Sequence, residues 1–257
     1  MAQWTPFPHF GSYHFDMASL KTHWVRLHMG DAEPVPTQAA VLQAWVLLHN
    51  GDFQAAAQAG WQAGNAGVTV AAKATAIYAS YLEKKEKTRL DLFLQVADRA
   101  QALAYAEPNN ANAWYWHGYA LNRYSQSISV AKALAQGLGN KIKESLERAI
   151  ALVPQHADAR ITLGAFHAEV IDKVGALIGG MTYGAKKDKS LKLFQEALQL
   201  HPGSAMGRVE YANALVILEG EAKIKEANAL YEQAAASEAM DALERLGVDL
   251  ARTELHH

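Results

Sequence analysis

The sequence predicts an all-α fold of stacked helical pairs, an α-solenoid of about five hairpins with a capping helix at each end. Three observations predict it. A helical stretch from Asn112 to Arg123 follows directly on a helix that ends at Pro108, and its phrase returns from Ala157 to Gly164 after Pro154 and more loosely from Ser204 to Met206 after Pro202. Small residues recur where two helices must approach closely, with Gly118 and Gly164 in first helices and Ala149 and Ala197 in second helices. Leu146, Ala149 and Leu152 precede Pro154 at the same offsets that Phe194, Ala197 and Leu200 keep before Pro202, each proline closing its helix.

A chain of 257 residues buries about three quarters of its unfolded surface, enough for one elongated domain. Net charge is -2 with 19% charged residues, which argues against an extended nucleic-acid footprint. With no cysteine, disulfides, thiolate metal sites and cysteine nucleophiles are excluded. The first ten residues have neither a basic leader nor a sufficient apolar run, so the expected location is cytoplasmic, or periplasmic if a leader has been removed. The apolar stretch Ala39 to Leu48, interrupted by Gln43, is much shorter than the roughly 20 residues of a membrane span. His256 and His257 could be the remnant of a purification tag and are left out of functional reasoning.

Residues 1–36 form an aromatic N-terminal cap, with Trp4, Phe7, Phe10, Tyr13, Phe15 and Trp24 covering the apolar end of the first repeat. The alternative is a detachable arm. Asp16 caps a short helix that runs through about Met29 and stops at Gly30, and Pro34 and Pro36 mark the turn before the array. The array occupies residues 37–257. Its first helix starts at Thr37 with Val41, Leu42, Trp45 and Leu48 on one side, turns through Gly51, Asp52 and Phe53, and returns with Ala55, Ala56, Ala59 and Ala63. A second pair covers Val70 to Leu82 and Thr88 to Glu107, joined by a charged, solvated corner from Glu83 to Lys87. The last pair covers Ala205 to Leu218 and Glu221 to Ala236, and Asp241 to Leu255 is the terminal cap with Leu243, Leu246, Val248 and Leu250 inward.

The two pairs between are oversized. Pro108, Pro154 and Pro202 are 46 and 48 residues apart, against about 34 for an ordinary helical-hairpin repeat. Each carries an insertion between its first and second helix, at about 125–140 and 170–187. Both insertions are apolar and glycine-rich, and each leads into lysines: Lys141 and Lys143, then Lys186, Lys187 and Lys189. The glycines, among them Gly137, Gly139, Gly179 and Gly180, follow no strand and lack phosphate-loop spacing, so they are read as hairpin turns inside long helices. The functional alternative is an apolar flap with a lysine rim for an anionic lipid or partner surface.

On Trp114, Gly118, Ala149 and Pro154, then Gly164, Phe194, Ala197 and Pro202, with Gly51, Phe53 and Ala56, the chain resembles a tetratricopeptide-repeat (TPR) protein. It departs from that pattern at His117, where a leucine usually precedes the glycine, and in the two insertions. The lengthened repeats are also similar to two subsets, the regulator-of-microtubule-dynamics proteins and the repeat components associated with periplasmic substrate transporters. The resemblance implies a right-handed solenoid whose first helices line a concave groove for a protein or peptide partner. With Trp114 as the core position, Asn112, Tyr115, Tyr119, Asn122 and Arg123 would face the groove. Counting from Arg160, so would Asp158, Ile161, Ala165, Glu169 and Asp172, followed by Arg208 and Tyr211. Aromatics interleaved with Arg and Asn suit recognition because they give contact area at low entropy cost.

The expected function is therefore a non-enzymatic interaction scaffold without a cofactor. The alternative is a carrier of a small apolar molecule or lipid, in a pocket closed by the insertions beside Tyr119, Ile128, Ile171 and Tyr183. A homo-oligomer is compatible with either. A metal site is not expected, since His23 and His28 lie about 140° apart around a helix. His117 and His167, one in each of the two lengthened repeats, are read as packing residues before a shared proton or ligand site. Glu169 and Asp172 beside Lys173 read as a surface network rather than paired catalytic carboxylates.

Overall fold

The computed structural model describes residues 3–255. Among these residues there are fourteen α-helices and two 3-10 turns, and no strand. The chain divides into two compact units: one holds residues up to His28, then 32–152 and 240–243, and the other holds 29–31, 153–239 and the residues from Glu244 on.

The first unit begins with α1 (Met17–Leu27), started by a capping box in which the Asp16 carboxylate accepts from the Ser19 backbone N–H and the Ser19 hydroxyl accepts from that of Asp16. The helix ends two residues before Met29 because His28 already leaves helical geometry. Three antiparallel pairs follow. They are α2 (Ala39–His49) with α3 (Phe53–Gln62), α4 (Val68–Tyr81) with α5 (Glu86–Ala106), and α6 (Ala111–Gln126) with α8 (Leu138–Leu152). The N-terminal aromatics lie on this same unit: Trp4 stacks on Tyr78 at 4.1 Å, Phe7 meets Phe53 edge-on at 5.9 Å, and Trp24 meets Trp45 edge-on at 5.7 Å.

Close approach between α3 and α4 depends on Gly60. A Cβ there would lie 2.7 Å from the Gly67 carbonyl oxygen and 2.9 Å from the Ala71 nitrogen, both backbone atoms that cannot swing aside. Gly60→Ala is therefore expected to destabilise the protein by about 2–3 kcal/mol despite the better helix propensity of alanine, measured as a lower urea midpoint at unchanged slope.

The second unit repeats the plan with α9 (Ala157–Val174) and α11 (Lys187–Leu200), then α12 (Ala205–Glu219) and α13 (Ile224–Ala235), and α14 (Ala242–Glu254) follows. Its core gathers Phe194, Val209, Tyr211, Leu215, Ala227 and Val248. The insertions are not plain turns, since each folds a short helix of its own: α7 (Val130–Ala135) and α10 (Ala176–Tyr183). A segment this short holds one or two hydrogen-bonded turns when capped, and Ser129 caps α7 by accepting from the Lys132 N–H at 3.3 Å.

The proline register is carried by caps. Asn110, His156 and Ser204 each stand two residues after a proline, and each side chain accepts a backbone N–H three residues on, from Ala113 at 3.1 Å, Ala159 at 3.1 Å and Gly207 at 2.9 Å. The imidazole of His156 thus stands where Asn and Ser stand in the other repeats. Equivalent glycines admit the second helix: a Cβ on Gly118 would lie 2.8 Å from Leu146 Cγ, and one on Gly164 would lie 2.9 Å from the Phe194 ring.

Candidate interaction site

Helix α6 carries five of the nine expected partner-binding residues, and it packs against α4, α5 and α8. That enclosure buries Asn112, Tyr115, Tyr119 and Asn122, while Trp114, the core position in the sequence register, is half-buried with its indole N–H donating to the Pro108 carbonyl at 3.0 Å. A first helix with neighbours on three sides leaves little open face, so the angle counted around the helix does not by itself give exposure.

The partly open end of this cluster is Arg123. Its Nε donates to the Tyr119 hydroxyl at 3.3 Å, its guanidinium lies 5.3 Å from the centre of the Tyr119 ring, and Nη1 donates to Gln126 Oε1 at 3.3 Å. The Tyr119 hydroxyl in turn meets Ser80 Oγ on α4 at 3.0 Å. Stacking and hydrogen bonding hold the guanidinium plane in one orientation, which suits bidentate recognition of a carboxylate or a carbonyl pair.

In the second unit Glu169 is half-buried and Asp172 exposed near the end of α9. Arg208 is half-buried and donates to Gln233 Oε1 at 3.2 Å and to the Ser204 carbonyl at 3.4 Å. Tyr211 is buried, stacked on Phe194 at 5.3 Å with an interplanar angle of 14°, and its hydroxyl accepts from Gln195 Nε2 at 3.3 Å. The two histidines of α6 and α9 do not occupy the same repeat position, since His117 follows Pro108 by 9 residues and His167 follows Pro154 by 13; His117 is bonded within its own hairpin, Nδ1 to Ser145 Oγ at 2.8 Å. Burial, with the Lys141 ammonium second, holds its pKa down to about 4. His167 is fully buried beside Phe166. Among the described residues no group of three His, Cys, Asp or Glu side chains is placed to hold a metal ion.

Two polar clusters in the first unit escape sequence reasoning. Glu33, just before Pro34, accepts from Thr69 Oγ1 at 2.9 Å and from Asn112 Nδ2 at 2.6 Å, while its backbone carbonyl accepts from the Trp24 indole at 2.7 Å. One residue thereby ties α1, α4 and α6 together and occupies the amide of Asn112. The second cluster is a buried chain: His28 Nε2 meets His49 Nε2 at 3.2 Å, and His49 Nδ1 meets Asp241 Oδ2 at 2.6 Å. The carboxylate accepts from His49 Nδ1, and the two Nε2 atoms share one hydrogen bond. No local motif could show this, because His49 and Asp241 are 192 residues apart.

An open pocket of about 250 Å³ also lies in the first unit, with Pro34, Val35, Pro36 and Val41 as its apolar wall and Glu33, Asn65, Thr69, Glu107 and Asn110 as its polar one. That is below the range of most small-molecule sites.

No curated protein matches the sequence. Among solved structures, a thermophilic TPR protein of Thermus thermophilus, TTC0263, is similar at 17% identity, with 83% of this chain and 97% of that chain covered and a TM-score of 0.58, so the two share a fold. The MamA protein is a more remote likeness, at 17% identity, 74% and 85% coverage and a TM-score of 0.42. Residues 62–245 match the family described as Regulator of microtubule dynamics protein 1-3, which is the first of the two subsets that the lengthened repeats resemble. That match runs from the end of α3 into α14 and takes in both insertions, and on it the chain belongs to the regulator of microtubule dynamics protein 1-3 family.

Proposed function

We propose that this chain is a non-enzymatic interaction scaffold that binds a protein or peptide segment in its first unit, at the partly open end of α6. The run of TPR-like hairpins carries the reading, because stacked helical pairs present repeated, closely spaced side chains to an extended partner. Arg123, beside Tyr119, supplies the anchoring contact at that end of α6; the second unit, taken by itself, offers Glu169, Asp172 and Arg208 as polar contacts. Asn112, Tyr115, Asn122 and Tyr211, all buried, act in packing.

The family's description makes the microtubule the first partner to test. Arg123→Ala is expected to weaken co-sedimentation with polymerised tubulin about tenfold, the cost of one lost charge-assisted contact. Tyr119→Phe, which keeps the ring under the guanidinium, should weaken it less. Both variants should retain the wild-type circular dichroism. Wild-type binding that Arg123→Ala leaves unchanged would remove Arg123 from the site, and no sedimentation of the wild type would remove the microtubule as partner.

A further inference from the structure

The second insertion contains a helix with two apolar faces. α10 reads Ala-Leu-Ile-Gly-Gly-Met-Thr-Tyr, without a charged residue. Its inner face is small and packed: Gly179 is buried so close to Val170 that an added Cβ would lie 2.8 Å from Cγ1, and the Tyr183 ring centre is 6.4 Å from that of Phe166. The outer face carries Leu177, Ile178 and Met181, which are 77%, 58% and 82% exposed. At the helical repeat these three fall within one arc of about 100°. A helix that needed only to pack on its own unit would carry polar groups there.

Both ends of the helix are marked by glycine, Gly175 at φ 81° and Gly184 at φ 65°, so it is set apart from α9 and α11. Lysines border it on both sides. Lys173 is exposed before it and Lys186 and Lys187 after it, and from Asp172 to Lys189 four lysines stand against two aspartates. Lys187 is also paired with Glu219 at 2.7 Å.

We propose that α10 is an interfacial anchor for an anionic lipid bilayer. Leu177, Ile178 and Met181 enter the boundary between headgroups and acyl chains while Lys186 meets headgroup phosphates. Charge selects this occupant: an exposed, uncharged apolar patch beside the exposed Lys186, in a segment where lysines outnumber aspartates, complements a surface that is anionic outside and apolar beneath. Three apolar side chains and Lys186 give reversible association, weaker than that of a single myristoyl chain. This anchoring is separate from partner binding at Arg123, and the two fail independently.

The chain has no cysteine, so Met181→Cys gives one labelling site for an environment-sensitive fluorophore on the full chain. Vesicles of phosphatidylcholine containing phosphatidylserine should shift its emission to the blue and raise it, and vesicles of phosphatidylcholine alone should do so far less. Co-sedimentation with the anionic vesicles should fall about tenfold in the Leu177→Asn, Ile178→Asn, Met181→Asn triple variant, and should also fall at high salt. Equal co-sedimentation of wild type and triple variant, or vesicle binding without an emission change, would overturn the proposal. So would an emission change that appears without vesicles as protein concentration rises, with a dimer mass by light scattering, because a second copy would then cover the face.

Discussion

His49→Leu is expected to lower the unfolding free energy by about 3–5 kcal/mol, the cost of removing one partner from a buried ionisable cluster. The substitution withdraws the imidazole bonded to both the Asp241 carboxylate and the His28 ring, in a place where His49, Asp241 and His28 are all at most 3% exposed. Leucine fills much of the volume, so the loss reports the polar contacts more than a cavity. Asp241→Asn should cost less, about 1–2 kcal/mol, since a side-chain carbonyl can still accept the His49 Nδ1 proton. Urea unfolding followed by circular dichroism measures both. A His49→Leu midpoint close to wild type would mean that the chain of contacts adds nothing to stability.

Acid will act through His117. Burial first and the Lys141 ammonium second hold its pKa at about 4, below its ordinary 6.5. The unfolded chain therefore binds a proton at higher pH than the folded one does. The stability tied to a neutral His117 is complete above about pH 6.5, falls as pH drops, and is lost by about pH 4, a change of about 3 kcal/mol. His117→Gln, which can keep a bond to Ser145 but cannot titrate, should flatten the stability profile by that amount between those pH values relative to wild type. The same slope in both proteins would show that His117 binds its proton folded as readily as unfolded.

How far the sequence could be read depends on the distance over which each feature is encoded. The helical pairs are local, since capping side chains, glycines and prolines act within a few residues, and so the pairs from α2 to α13 stand close to where periodicity expects them. The insertions are visible as extra length between Pro108, Pro154 and Pro202, but α7 and α10 within them are not. The uncharged run of α10 does not distinguish a turn from a helix until one face has found Val170 and Phe166 to pack on. The exposed side of α6 was out of reach for a related reason: periodicity gives an angle around a helix, and exposure at that angle depends on which other helices arrive there.

By itself the sequence determined that this chain is all helix, that its helices pair, where the pairs begin and end, and that two pairs carry insertions. Local hydrogen bonding and side-chain size suffice for each of those. Only the tertiary structure decided that Tyr115, Tyr119 and Asn122 are covered, that Glu33 holds α4 and α6, and that His28, His49 and Asp241 form one buried chain. Those depend on contacts between residues far apart along the chain, whose energies exist only once hydrophobic burial has brought the helices together and excluded water.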